Sequence, residues 1–166
     1  MNWHKFYLAF FSVVLSLTGY CQTTISVTGN PVFPSTVFDV TEAGNDFVSS
    51  VVSTDGSLIS IDNTETNLHR NGKFNWSVSV NKSDINWNPT LGIQVRRSGD
   101  GTEGSNSNNS ITGGTNFQSV SDIPSTFFEG TAARDNVPIE YQISNISVLI
   151  PADNYETTVY FTVYEQ

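Results

Sequence analysis

Few residues in this chain have the type and spacing that catalysis needs. Beyond its first 21 residues there is one histidine, His69, in a polar stretch beside Arg70. A Ser-His-Asp triad would have to use it as the base, and no nucleophile-elbow signature surrounds any serine. Cys21 is the only cysteine, and it falls at the end of a leader expected to be removed. Thiol chemistry and cysteine zinc sites leave with it. The 16 acidic residues are scattered, mostly in turns, and none forms the facing carboxylate pair that glycoside hydrolysis uses. Asp100 and Glu103, in Gly99-Asp-Gly-Thr-Glu-Gly104, have a flavour of a calcium loop. Calcium takes roughly six to eight oxygens in a defined order, and this spacing does not match. The expectation is a non-enzymatic chain with no catalytic residues, no metal and no cofactor.

Residues suited to binding are more numerous. Arg96-Arg97 ends a run of alternating apolar residues, where neighbouring Asp or Glu side chains are its expected partners. Trp87 falls on a connection, placed either to stack on a sugar ring or to plug the end of a sandwich. Tyr160 and Tyr164 fall on the polar face of the last apolar run. Trp87, Tyr160 and Tyr164 are therefore the candidate ligand-binding residues, with glycans or protein as the partner, and cross-strand packing as the plainer role of the tyrosines.

These side chains need elements to position them. The first residues read as an export signal: Lys5 as a short positive region, Phe6 to Leu17 as an apolar core, then small residues and a polar turn. Cleavage after Cys21 leaves Gln22 first; cleavage after Gly19 and acylation of Cys21 are the alternatives, and Tyr20 is a poor neighbour for an acylated cysteine. The apolar run is too short for a membrane span, which takes roughly 20 residues, so no membrane insertion of residues 22–166 is expected. That part holds six basic against 16 acidic residues, which disfavours nucleic acid and anionic lipid. The expected location is secreted, periplasmic or at the cell surface.

Period-two alternation runs through the rest. In Asn154 to Gln166, Tyr155, Thr157, Val159, Phe161 and Val163 fall on one face; Glu156, Thr158, Tyr160, Thr162 and Tyr164 fall on the other. Phe74, Trp76, Val78 and Val80 alternate with Asn75, Ser77, Ser79 and Asn81, and Leu91–Val95 and Val137–Ile143 repeat the pattern. Further strands are expected at Thr23–Thr28, Ser35–Val40, Phe47–Thr54, Leu58–Ile61, Asn116–Val120 and Ser125–Phe128. Asp55-Gly56 reads as a hairpin turn, and Pro138 as a strand start or a sheet edge. Ser98–Thr115 is nearly pure Gly, Ser, Asn and Thr, and is expected to be a flexible loop. Outside the leader no segment keeps a 3.6-residue apolar period. The spacing predicts an all-β, Ig-like Greek-key β-sandwich over residues 22–166, with a barrel as the alternative.

The ending Ile150-Pro-Ala-Asp-Asn-Tyr-Glu-Thr-Thr-Val-Tyr-Phe-Thr-Val-Tyr164 resembles the last strand of bacterial pilin-like and spore-coat-like surface β-sandwiches. Asp84-Ile-Asn-Trp-Asn-Pro89 and Ile93-Gln-Val-Arg-Arg-Ser-Gly-Asp-Gly101 are similar to uncharacterised exported proteins of Gram-negative bacteria. The resemblance implies an Ig-like sandwich without enzymatic activity, acting at the cell surface or in a fibre with copies of itself. The chain departs from fimbrial subunits in lacking an internal cysteine pair and in carrying two residues after the final tyrosine. Strand-exchanged pilins fill a neighbour's groove with an N-terminal extension of alternating apolar residues and a glycine. Ile25, Val27 and Gly29 are the candidates for that part; the plainer expectation is that Thr23–Thr28 is the first strand of its own sandwich.

Overall fold

The computed structural model describes residues 23–34, 46–63, 74–103 and 110–166, and every element among them is a strand. The leader, the Ser35–Val40 run and His69 lie outside the described residues. Eleven strands follow in order: β1 (Thr23–Thr28), β2 (Ser50–Val52), β3 (Ser57–Asn63), β4 (Asn75–Asn86), β5 (Gly92–Arg97), β6 (Thr102–Glu103), β7 (Ile111–Gly113), β8 (Gln118–Ser119), β9 (Ser125–Thr131), β10 (Arg134–Ser144) and β11 (Glu156–Glu165). They form two antiparallel sheets packed face to face, a β-sandwich. The seven-stranded sheet runs β1-β3-β10-β5-β8, with β2 and β6 also on β10; the four-stranded sheet runs β11-β4-β9-β7.

The core is what the alternation dictates. Ile59 and Ile61 of β3, Val95 of β5 and Val137 and Ile139 of β10 face Trp76, Val78 and Val80 of β4 and Phe128 of β9, all essentially buried. Large side chains of this kind stabilise the fold by roughly 1.5–3 kcal/mol each. Trp76 meets Phe128 edge to face at 5.7 Å, and its Nε1 donates to the Ala132 carbonyl at 2.7 Å. The outward serines of β4 are buried too. Ser77 lies between Tyr164 and Glu129, and Ser79 between Thr162 and Thr126 on the neighbouring strands. Small side chains on an inner strand are roofed by taller ones beside them.

Several local expectations change. Asp55-Gly56 is not a hairpin. β2 and β3 lie end to end along the same edge of β10 (Val51 opposite Ile143, Ile59 opposite Val137), and Gly56 lies between them. A Cβ on Gly56 would sit 1.8 Å from the Ile139 carbonyl oxygen, so glycine is needed for close approach to β10. Within the expected Phe47–Thr54 strand the assigned strand is Ser50–Val52, with the Ser53 N–H donating onward to the Tyr141 carbonyl at 2.8 Å, while β4 runs on to Asn86 because β11 continues beside it.

Pro138 is inside β10, the middle strand of its sheet. Its carbonyl accepts the Ser98 N–H at 2.9 Å, one residue past the end of β5. Its missing donor therefore points where β5 has stopped, which is the strand-edge logic applied locally. The expected flexible loop at 98–115 contains β6, paired to β10, and β7, paired to β9; residues 104–109 lie outside the described residues. Arg97 organises its two ends. Its Nε donates to the Gly113 carbonyl at 2.6 Å, its N–H donates to the Gly114 carbonyl at 2.7 Å, and its Nη1 is paired with Asp100.

Candidate functional site

At one end of the sandwich, where β4 and β10 finish and β5 and β11 begin, the chain encloses a cavity of about 380 Å³. Asn145, at a φ of 60°, turns the chain out of β10 into the segment that walls it; asparagine tolerates this left-handed backbone. The Ile150 N–H closes a turn onto the Ser147 carbonyl at 3.1 Å. Asp46 grips that turn, accepting the Val148 N–H at 2.7 Å and the Ser147 hydroxyl at 2.9 Å. The Val148 N–H above all, then the Ser147 hydroxyl and the Phe47 N–H, hold the Asp46 carboxyl below the usual carboxylate range.

Three aromatic rings line this cavity from three separate segments: Phe47, Trp87 and Tyr155. Trp87 Nε1 donates to the Leu91 carbonyl at 2.9 Å. The Tyr155 hydroxyl donates to the Pro151 carbonyl at 2.6 Å. Both polar tips are thus taken by backbone. Ile143, Ile146 and Ile150 complete much of the wall, and Asp153 is its carboxylate. Asp153 accepts the Asn154 N–H at 2.8 Å and a longer bond from Asn86 Nδ2 at 3.4 Å. Among the described residues no lysine or arginine lines the cavity.

The second feature is one open side of the sandwich, where β1 and β11 come together. Among the described residues β11 pairs only with β4, and β1 only with β3. The Gln166 N–H donates to the Asn75 carbonyl at 2.9 Å. Alternation along the antiparallel ladder then turns the backbone groups of Thr158, Tyr160, Thr162 and Tyr164 toward β4, and those of Val159, Phe161 and Val163 toward the free edge. Between Thr157 and Tyr164 there is no charge, proline or glycine, so this run carries none of the residue types that blunt an edge. β1 pairs with β3 along all its six residues; Ile25 packs against the core, while Val27 is 44% exposed. A cavity of about 500 Å³ separates Val27, Gly29 and Pro31 from Val159 and Phe161.

The residues singled out from the sequence separate into three places. Trp87 is half-buried in the end cavity. Tyr160 and Tyr164 stand on the outer face of β11, 48% and 52% exposed. Tyr160 lies opposite Asn81 and Trp87 follows Asn86, roughly 15–20 Å along the strand at about 3.3 Å per residue. Trp87 and the two tyrosines therefore do not form one site. Ile25, Val27 and Gly29 lie on β1 and the turn after it, with Ile25 and Val27 opposite Ile61 and Ile59 of β3. Asp100 and Glu103 each meet an arginine, Arg97 and Arg134. Arg96 pairs with Glu140 at 2.7 Å and lies over the Phe117 ring, the acidic partner expected for it. Sequence reasoning missed Phe47, Asp153 and Tyr155 as companions of Trp87. They come from segments far apart in the chain, and no spacing joins them. Comparison with known proteins gives no match: no family model fits the chain, and no curated protein or solved structure is significantly similar to it.

Proposed function

We propose that this chain is a secreted, non-enzymatic structural or adhesive protein of the cell surface that assembles with copies of itself as a fibre subunit. The observation that carries this reading is the edge of β11, ten residues long, unpaired on its outer side among the described residues and without charge or proline over its middle. β-augmentation uses such an edge, with main-chain hydrogen bonds giving affinity and alternate side chains giving specificity. The strand we assign to it is β1 of a neighbouring copy. β1 has no charged residue, and it alternates Ile25 and Val27 with polar residues before Gly29. Pairing two β11 strands antiparallel would instead bring Glu156 of one copy near Glu165 of the other. Head-to-tail pairing of β1 with β11 is heterologous, the kind of contact that gives an open filament wherever its rotation does not close a ring. The resemblance of the last strand to pilin-like sandwiches agrees with this, and we read the repeated crossing between sheets as Ig-like Greek-key connectivity.

The test compares Gln22–Gln166 with Pro34–Gln166 by light scattering and thermal unfolding, with and without a synthetic Thr23–Phe33 peptide. We expect concentration-dependent association of the longer form, loss of association in the shorter one, and a raised Tm when the peptide is added to it. Val159→Pro removes an outward N–H without touching the β4 ladder, and should also abolish association. A longer form that stays monomeric up to its solubility limit would sink the proposal.

The second reading, a carbohydrate-binding module, is favoured by the exposed pair Tyr160 and Tyr164 on one face of β11. A glycan array separates the two. A saturable hit lost in Tyr160→Ala, or in Trp87→Ala, supports the module.

A further inference from the structure

The end cavity lies outside the assembly reading and has a chemistry of its own. Phe47, Trp87 and Tyr155 supply ring surface, and Asp153 supplies negative charge, with no lysine or arginine among the described lining residues to offset it. Its other polar groups are already engaged. The Trp87 indole N–H and the Tyr155 hydroxyl donate to backbone carbonyls, and the Ser147 hydroxyl donates to Asp46. A sugar needs many hydrogen-bonding partners and would find few here. An anion would meet Asp153 with nothing to balance it. A neutral hydrocarbon would use the isoleucines but not the carboxylate. A methylated ammonium group uses all of these: aromatic ring faces attract cations, the carboxylate adds Coulomb attraction, and the methyl groups pack against apolar walls. The volume of about 380 Å³ falls in the range of small-molecule sites. The strongly acidic chain, with 16 acidic against seven basic residues, also raises the local concentration of cations at its surface.

We infer that this cavity binds a small molecule bearing a quaternary or highly methylated ammonium group, with Trp87 and Tyr155 contributing ring surface and Asp153 the counter-charge. The walls are largely pre-formed, because Asp46 clamps the Ser147–Ile150 turn and backbone carbonyls fix both polar ring tips.

The test uses the full chain and two soluble probes of the same shape. Choline carries the charge; 3,3-dimethylbutan-1-ol replaces its nitrogen with carbon. Binding is followed by calorimetry and by the fluorescence of Trp87. We expect choline to saturate and the neutral alcohol to bind about two- to fivefold more weakly, the difference that a partly exposed cation–π contact supports. Asp153→Asn, a change at an exposed residue, should weaken choline severalfold and leave the alcohol unaffected. Trp87→Ala should abolish choline binding; Trp87→Phe keeps a ring, and should restore part of it if the fold of the alanine variant is intact by circular dichroism. Equal affinity for the two probes overturns the inference, since the cavity would then be merely apolar. So does an absence of saturable choline binding, or an Asp153→Asn variant that binds choline as the parent does.

Discussion

Gly130 sits opposite Trp76 in the ladder between β4 and β9, and the space above it belongs to the indole. A methyl group there would lie 2.4 Å and 2.6 Å from Trp76 Cζ2 and Cη2, and 2.7 Å from the Ser110 carbonyl oxygen. Carbon atoms rest about 3.5–4.0 Å apart, so the ring would have to retreat by about 1 Å. It has nowhere to go. Trp76 is fully buried, edge-on to Phe128, and its Nε1 is 2.7 Å from the Ala132 carbonyl. Gly130 does not occupy the left-handed region, so the effect of Gly130→Ala is one of space alone. Overpacking costs about 1–3 kcal/mol, and a buried N–H pulled from its acceptor adds about 1–3 kcal/mol. We expect a loss of about 3 kcal/mol, out of a total of about 5–15 kcal/mol for a domain of this kind, and a Tm lower by about 10 °C. Urea unfolding followed by tryptophan fluorescence measures the loss, and near-ultraviolet circular dichroism reports whether Trp76 has shifted. Gly99→Ala is the control. Its methyl would meet only the Pro138 ring, at 3.1 Å, and should change stability by less than about 1 kcal/mol. If Gly130→Ala also stays within about 1 kcal/mol of the parent, the indole is not locked in place and the packing argument fails.

Other consequences are as direct. Ser79 Oγ is buried without a hydrogen-bond partner, so Ser79→Ala should raise stability in urea by about 1 kcal/mol. Arg134 is 2% exposed, its Nε and Nη2 lack partners among the described residues, and its ion pair with Glu103 spans 3.7 Å. Arg134→Met should be neutral or stabilising by calorimetry, and a loss of several kcal/mol would show that the guanidinium is better paired than this geometry allows. Asp46 is held below its usual range by the Val148 N–H, and Asp84 by its bond with Lys82. A carboxyl with a depressed folded value contributes stability above its unfolded value and loses it as pH falls through the folded one. Tm should therefore decline below about pH 4, less steeply in Asp46→Asn. Burial pushes the Tyr141 phenol above its ordinary 10.0, with the Ser57 hydrogen bond opposing in part. Its contribution is complete below that value and is lost as pH rises beyond it, so Tyr141→Phe should blunt alkaline unfolding.

The parts of this fold that could be read in the sequence are those governed by local contrast between two faces. β11 alternates because one face looks inward and the other at solvent, and β4 and β5 are legible on their apolar side for the same reason. Positions set by a distant backbone were misread. Asp55-Gly56 has the composition of a tight turn, but Gly56 answers to the carbonyl of Ile139, which reaches it only when β10 docks. Pro138 looked like an edge residue because the stopping point of β5 beside it is a property of the sheet. The Gly- and Ser-rich stretch after Ser98 looked unable to order itself, and Arg97 with the edges of β9 and β10 supplies what composition lacks. The candidate site divides along the same line. Trp87 was visible as an aromatic residue on a connection. Its setting with Phe47, Tyr155 and Asp153 arises where separate strand ends converge.

The edges of the two sheets make the strongest case for β11 as a pairing surface, because they differ from one another. β8 closes the seven-stranded sheet with two residues, and β7 closes the four-stranded sheet with three. Edges that short offer too few outward backbone groups to template another chain, and shortness is one of the ways natural sheets avoid association. On the opposite side β11 offers ten residues, with charge only at its ends and the backbone groups of Val159, Phe161 and Val163 turned toward the outer edge while their side chains pack on the core. A sequence under pressure to stay solitary needs only one lysine or proline in that run. Beside it lies β1, uncharged, with Val27 nearly half exposed and only Ile25 packed against the core. Among the described residues, one side of the sandwich thus ends in short strands and the other in the longer β1 and β11. That asymmetry is the physical reason the proposal pairs β11 with β1 of another copy.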